Sequence, residues 1–176
     1  ISPRYLRAYY RHDNFSMIRT RHYEPVIGKI EDYNELREWS KGADLTLKNV
    51  SEKIDIENYA RWLISVFLCL TKDFDQGPAL RDESVENNKW FFINWDMDAS
   101  FGVSGRFGPE PWKANVKLFG LGSFRKRLLT RMHFDPEWRQ YFTRLFVDIL
   151  NHEFTQQGVR EILTKHRNIV DRFELN

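Results

Sequence analysis

Lys89-Trp-Phe-Phe-Ile-Asn-Trp-Asp-Met-Asp-Ala-Ser-Phe-Gly102 decides how the rest of the chain is read. Trp90 to Trp95 is apolar and aromatic apart from Asn94. A run this dense in β-favouring residues predicts a buried strand about six residues long. Asp96 and Asp98 stand directly at its C-terminal end, and Ser100, Phe101 and Gly102 break it. A buried strand fixes its backbone, so carboxylates at its exit can converge on a cation or a phosphate-bearing ligand. The alternative is that they are ordinary turn formers.

Working back from the strand, Asn87 and Asn88 tolerate positive φ, and Ala79 to Arg81 predicts a short partner strand, so the two runs form a candidate hairpin. Before it lies a second acidic group, Asp73 and Asp75 in Thr71-Lys-Asp-Phe-Asp-Gln-Gly-Pro78. The hairpin can fold one acidic pair back toward the other. The rival for Asp73 and Asp75 is a solvated loop. Asp55 is a good N-cap for the segment that feeds this loop. Ile56, Tyr59, Ala60, Leu63, Val66, Phe67 and Leu70 follow helical spacing, with Trp62, Ile64 and Leu68 on the other side, which predicts a largely buried helix.

Further out the signals vary. Tyr5, Leu6, Tyr9 and Tyr10 suit one helical face, Phe15 to Ile18 a short strand, and Pro25 and Gly28 punctuate the exit. Glu31 to Lys41 reads as an amphipathic helix stopped by Gly42, and Ala43 to Ile54 as another short helix. Val103 to Asn115 has no period and reads as a loop after the acidic pair. Ser123 to Met132 predicts a basic helix. Asp135-Pro136-Glu137 marks a helix start with Asp as cap and Pro at the first helical position. Trp138, Phe142, Leu145, Phe146 and Ile149 form its buried stripe. Thr155 caps a last helix with Val159, Ile162, Leu163, Ile169, Val170 and Phe173 as the stripe. The expected class is α+β, mainly helical, with the hairpin as the firm β element.

Composition bounds the function. The chain has 176 residues, room for one domain with a real core. Lys and Arg number 27 against 25 Asp and Glu, a net charge of +2, which gives no argument for a nucleic-acid partner. Arg4, Arg7, Arg11, Arg19 and Arg21 make the first stretch basic, in the manner of a solvated face. The single cysteine, Cys69, excludes an internal disulfide and sits among apolar residues as a core thiol rather than a nucleophile. No stretch reaches the roughly 18 apolar residues of a membrane span. The chain starts at Ile1 without methionine or signal peptide, so a fragment or processed chain is the expectation. His12, His22, His133, His152 and His166 show no i, i+4 zinc pair, and neither G-x-x-x-x-G-K-[ST] nor G-x-G-x-x-G occurs. The carboxylates remain.

Phe91-Phe-Ile-Asn-Trp-Asp-Met-Asp-Ala-Ser-Phe-Gly102 resembles the W-D-x-D-x-(S)-F-G signature of the CotH family, the spore-coat-protein-H-like atypical kinases. Asp55-Ile-Glu-Asn-Tyr59 resembles that family's D-x-x-N-F/Y segment, and the acidic loop after the helix falls where the family has one. The likeness covers about Glu31 to Val170 and includes the later Phe124-Arg-Lys-Arg-Leu-Leu-Thr-Arg-Met132 and Phe154-Thr-Gln-Gln-Gly-Val159 segments. The resemblance implies an atypical protein kinase using ATP and Mg²⁺ or Mn²⁺ to phosphorylate Ser or Thr hydroxyls of a protein substrate. Residues 1–176 would then be one domain, the mainly helical C-terminal lobe with part of the inter-lobe region; the lysine and glycine-bearing strands of an ATP-clamping lobe are not identifiable in Ile1 to Ile30. Asp96 would match the metal-binding Asp, with Asp98 at the metal or supporting its loop. Asp75 is the better match to the catalytic-loop Asp, and Asp73 the lesser. The family loop continues to a metal-holding Asn; here Gln76-Gly77-Pro78-Ala79 takes that place, with Gln76 as the substitute nucleotide-site residue. A catalytically impaired pseudokinase or surface-interaction protein is the alternative, and a metal-dependent hydrolase or nucleotidyltransferase a weaker one.

Overall fold

A computed structural model describes residues 14–71, 77–101 and 123–174. Among them are six α-helices and one four-stranded antiparallel sheet, so the class is α+β. Strand β1 (Phe15–Arg19) turns back into β2 (Glu24–Ile27), with a register irregularity between Met17 and Ile18. Helices α1 (Glu31–Gly42), α2 (Leu47–Ser51) and α3 (Ile56–Cys69) follow. Then come β3 (Ala79–Asp82), β4 (Phe91–Phe92) and a 3₁₀ turn at Met97–Ala99. Helices α4 (Phe124–Met132), α5 (Pro136–Asp148) and α6 (Gln156–Glu174) complete the chain, with a π-helical turn at Ile149–Glu153.

The sheet order is β2-β1-β3-β4. The candidate hairpin is present: Ala79 pairs with Phe92 and Leu80 with Phe91, and Asn87 takes the positive φ its residue type allows. Two expectations need correction. The hairpin is not the whole sheet, because Phe15–Arg19 pairs with both β2 and β3 and moves to its centre. The Trp90–Trp95 run is not a six-residue strand. Only Phe91 and Phe92 form β4, Asn94 is exposed and Trp95 is 43% exposed. Apolar content reported burial at Trp90 and Phe92, but ladder length depends on partners, and side-chain bonds and a tight turn claim the residues beyond Ile93. The helix expected over Ala43 to Ile54 is likewise only Leu47–Ser51, capped by the Thr46 hydroxyl. Tyr5, Leu6, Tyr9, Tyr10 and the Val103 to Asn115 segment lie outside the described residues.

The chain packs as two compact units, 1–139 and 140–176. In the first, Ile18, Ile54, Leu63, Leu80, Leu128 and Met132 are fully or almost fully buried. Tyr59 sits among aromatic rings, with Trp62 at 6.0 Å, Trp138 at 5.8 Å and Phe92 at 5.8 Å between centroids. Such contacts add to the area that aromatic residues bury. In the second unit Ile149 is buried, but Phe142, Leu145 and Phe146 of the stripe expected to be buried are only half-buried; Thr155 accepts from the Gly158 N–H at 3.0 Å, the expected cap. The expected stripe of α6 is not a buried one where it is described: Ile162 is 55% and Leu163 64% exposed. Periodicity reports an amphipathic face; it does not report what covers that face. No helix among the described residues is long and apolar enough to cross a membrane.

Candidate active site

Helix α3 is the base on which the site is built. Asp55 caps it, accepting from the Asn58 N–H at 3.0 Å. The Asn58 side chain then does something the capping pattern does not reveal. Its amide oxygen accepts from the Phe92 N–H at 2.7 Å, and its nitrogen donates to the Phe92 carbonyl at 3.1 Å. One residue group earlier, Trp90 donates to the Lys53 carbonyl at 3.0 Å and accepts from the Asp55 N–H at 2.9 Å. Residues 53–58 therefore stand where a fifth strand would, satisfying backbone groups that an edge strand leaves open. Asn94 continues the attachment by hydrogen bonding the Ser65 hydroxyl of α3 at 2.8 Å. The W-D segment is thus tied to α3 along its length.

The acidic turn follows. Asp96 adopts the left-handed region at φ 55°, ψ 54°, which Asp tolerates better than most residues. This bend ends the extended run and starts the 3₁₀ turn containing Asp98. Both Asp96 and Asp98 are exposed. Phe101, also left-handed at φ 53°, donates its N–H to the Cys69 carbonyl at 2.8 Å. The turn consequently closes onto the C-terminus of α3, where Leu70 at φ 50° reverses the chain. Two buried hydroxyls bracket this junction, Thr71 Oγ1 and Ser100 Oγ, and neither has a hydrogen-bond partner among the described residues. Burial pushes the Cys69 thiol up from its ordinary value, which disfavours the thiolate and any nucleophilic role.

The chain returns at Gly77. A Cβ there would lie 2.3 Å from the Ile93 carbonyl oxygen and 3.2 Å from the Trp95 side chain, so only glycine allows this approach. The Gly77 carbonyl accepts from the Thr20 hydroxyl at 2.7 Å and from the Arg125 guanidinium at 2.5 Å. Arg125 also donates to the Pro78 carbonyl at 3.2 Å. It is 2% exposed, its guanidinium carbon 4.9 Å from the Trp62 ring centroid and 4.6 Å from that of Phe92. A planar, always-charged fork suits this place, because it can meet two carbonyls in its plane and aromatic rings on its faces.

Of the residues singled out in the sequence, Asp96 and Asp98 share one turn. Asp73, Asp75 and Gln76 lie outside the described residues, which stop at Thr71 and resume at Gly77. No three of the His, Cys, Asp and Glu residues among the described ones group as a metal site. The donors at the turn are carboxylates and hydroxyls, the hard oxygen chemistry that suits Mg²⁺ or Mn²⁺ and not zinc. Arg125 and Thr20 are the contributors that sequence reasoning missed; Asn58 stood in the Asp55–Tyr59 segment, but its hold on Phe92 was not foreseen. Arg125 carried a usable signal: it falls on the same helical face as the buried Leu128, Leu129 and Met132, a position where a cation must have a structural reason.

A family model described as CotH kinase protein matches residues 9–173. Neither a curated protein nor a solved structure matches the chain.

Proposed function

The chain belongs to the CotH kinase protein family, and from that premise we propose that it is a kinase-like lobe transferring the γ-phosphoryl group of ATP to Ser or Thr hydroxyls. The observation that carries the proposal is how the described residues that flank positions 72–76 are held. At one end, the Cys69 carbonyl bonds the turn's Phe101; at the other, Gly77 packs against Ile93 and Trp95, directly before Asp96. Asp75 stands two residues before Gly77 in the sequence and Asp73 two residues after Thr71. The described residues on either side of the acidic segment are both held against the strand and turn that carry Asp96.

In this reading Asp96 and Asp98 would hold a divalent cation, and Gln76 would serve the nucleotide site. The cation, when bound, neutralises charge on the transferring phosphoryl group. Asp75 accepts the proton of the acceptor hydroxyl. The hydroxyl oxygen forms its bond to the γ-phosphorus as the bond from that phosphorus to the β–γ bridging oxygen breaks, and ADP leaves with the electron pair. Positioning and charge stabilisation supply most of such a reaction's acceleration, which fits a site built from anchored backbone.

Nucleotide binding without transfer is a second reading, favoured by one feature. Gly77 and Pro78 belong to the Gln76-Gly77-Pro78-Ala79 stretch that takes the place where the resemblance implies a metal-holding Asn, and both are used through their carbonyls by Arg125. The two readings separate when the protein is incubated with labelled ATP, Mg²⁺ or Mn²⁺ and Ser/Thr-containing acceptor protein. Metal-dependent labelling that disappears in Asp75→Ala and in Asp96→Ala supports transfer. Nucleotide binding without labelling supports the second reading. Absence of both nucleotide and metal binding sinks the site.

A further inference from the structure

A cleft of about 290 Å³ opens beside the acidic turn, lined by Met17, Arg19, Arg21, His22, Val26, Pro78 and Trp95. Its two halves differ in chemistry. Met17, Val26, Pro78 and Trp95 supply apolar surface, and Trp95 and Val26 are 43% and 39% exposed. Arg19, Arg21 and His22, all exposed, place the basic end of the β1–β2 hairpin on the same cleft. Glu24 lies across from Arg19 in the ladder, with 4.0 Å between charged atoms and both side chains at least 60% exposed. A pair so exposed and so long is weak and yields readily to a better acceptor. Covalent continuity links the cleft to the candidate transfer site, since Trp95 directly precedes Asp96 and Pro78 follows Asp75 by three residues.

From this juxtaposition we infer that the cleft is a docking subsite for acidic polypeptide, seating one apolar side chain on Trp95 and Val26 while neighbouring carboxylates meet Arg19, Arg21 and His22. The size selects this occupant. Sites for drug-sized ligands run from about 300 to 1,000 Å³, so this cleft is at the small end and suits a side chain better than a whole nucleotide. The charge selects it as well, because guanidinium groups recognise carboxylates through paired, charge-assisted hydrogen bonds. Naming the bound chain as the phosphoryl acceptor rests on the transfer reading above; the binding does not. A polypeptide held here presents its adjoining residues to the acidic turn, and its acidic character fixes which acceptors are phosphorylated.

The test is fluorescence anisotropy with the whole chain in the absence of nucleotide and metal. The probes are a fluorescein-labelled peptide with one Leu flanked by Asp and Glu, and its counterpart with Lys in place of each acid. The acidic peptide should bind and the Lys peptide should not. Arg19→Glu combined with Arg21→Glu should weaken binding about tenfold or more, and added salt should do the same, as for charged contacts at an accessible rim. Trp95→Ala should weaken it too, while Arg160→Glu on α6 should not. Equal binding of both peptides, or unchanged affinity in the folded double variant, overturns the inference. Displacement of the acidic peptide by saturating ATP overturns it as well, because it would make the cleft a nucleotide site. If labelled transfer fails while acidic peptide still binds, the transfer reading falls and the docking subsite stands.

Discussion

Replacing Arg125 with Met removes the guanidinium while keeping an unbranched apolar stem in the buried site. The carbonyls it leaves are not orphaned: Gly77 keeps the Thr20 hydroxyl and Pro78 keeps the Ile93 N–H at 3.3 Å. The loss is therefore that of the charged bonds themselves. A hydrogen bond to a charged group contributes about 1.5–3 kcal/mol net, so the close Gly77 contact and the longer Pro78 contact together amount to about 3 kcal/mol. For a chain of this size that corresponds to a fall in Tm of about 6–12 °C. Arg125→Lys should lose at least as much, because an ammonium is a strongly hydrated point charge that cannot span two carbonyls and stack on Trp62 and Phe92. Differential scanning calorimetry of the three proteins reads this directly. If Arg125→Met melts within 2 °C of the parent, on the scale of about 2–4 °C per kcal/mol, the anchoring role assigned to Arg125 is wrong. If Lys restores the parent Tm, the need for a planar fork is wrong.

Gly77→Ala should destabilise by about 1–3 kcal/mol, because its Cβ would meet backbone at Ile93 rather than a movable side chain, and urea unfolding at fixed m-value reads the loss. Asn58→Ala should cost about 1–3 kcal/mol and speed hydrogen exchange at the Phe92 amide, which loses its acceptor; unchanged exchange there would refute the clamp. Burial alone would raise the Glu83 carboxyl, yet hydrogen bonds from Arg81, Ser16 and Asn88 outweigh it and hold it below its ordinary 4.5. A depressed folded value means Glu83 adds stability above pH 4.5 that is lost as pH falls through the folded value. Thermal melts from pH 7 downward should therefore show a shallower acid loss in Glu83→Gln than in the parent.

The sequence carried the hairpin, the caps at Asp55 and Thr155 and the family signature because each rests on local chemistry. Asp55 and Thr155 need only a neighbour three residues on, and Asn87 needs only its own tolerance of positive φ. What it did not carry depends on distant partners. Phe15 to Ile18 reads as an isolated short strand until β3, more than 60 residues later, pairs with it. Trp90 to Trp95 has the composition of a long strand, but Asn94 bonds Ser65 and Asp96 bends the chain, so the ladder stops after two residues. Asn58 looks like part of a helix start and is a clamp on β4. The α6 stripe shows the opposite limit, since an amphipathic pattern predicts a helix correctly and leaves its exposed face unassigned.

The central claim is that Asp75 and Asp96 serve one metal–nucleotide site. Mn²⁺ binding followed by electron paramagnetic resonance, with and without ATP, tests it most directly in the parent, Asp75→Asn and Asp96→Asn. ATP should tighten Mn²⁺ binding in the parent, and each Asn variant should lose the ATP-dependent part by about tenfold or more, because each replaces a carboxylate proposed for the site with a neutral amide. ATP-dependent Mn²⁺ binding that survives unchanged in either variant would contradict the central claim.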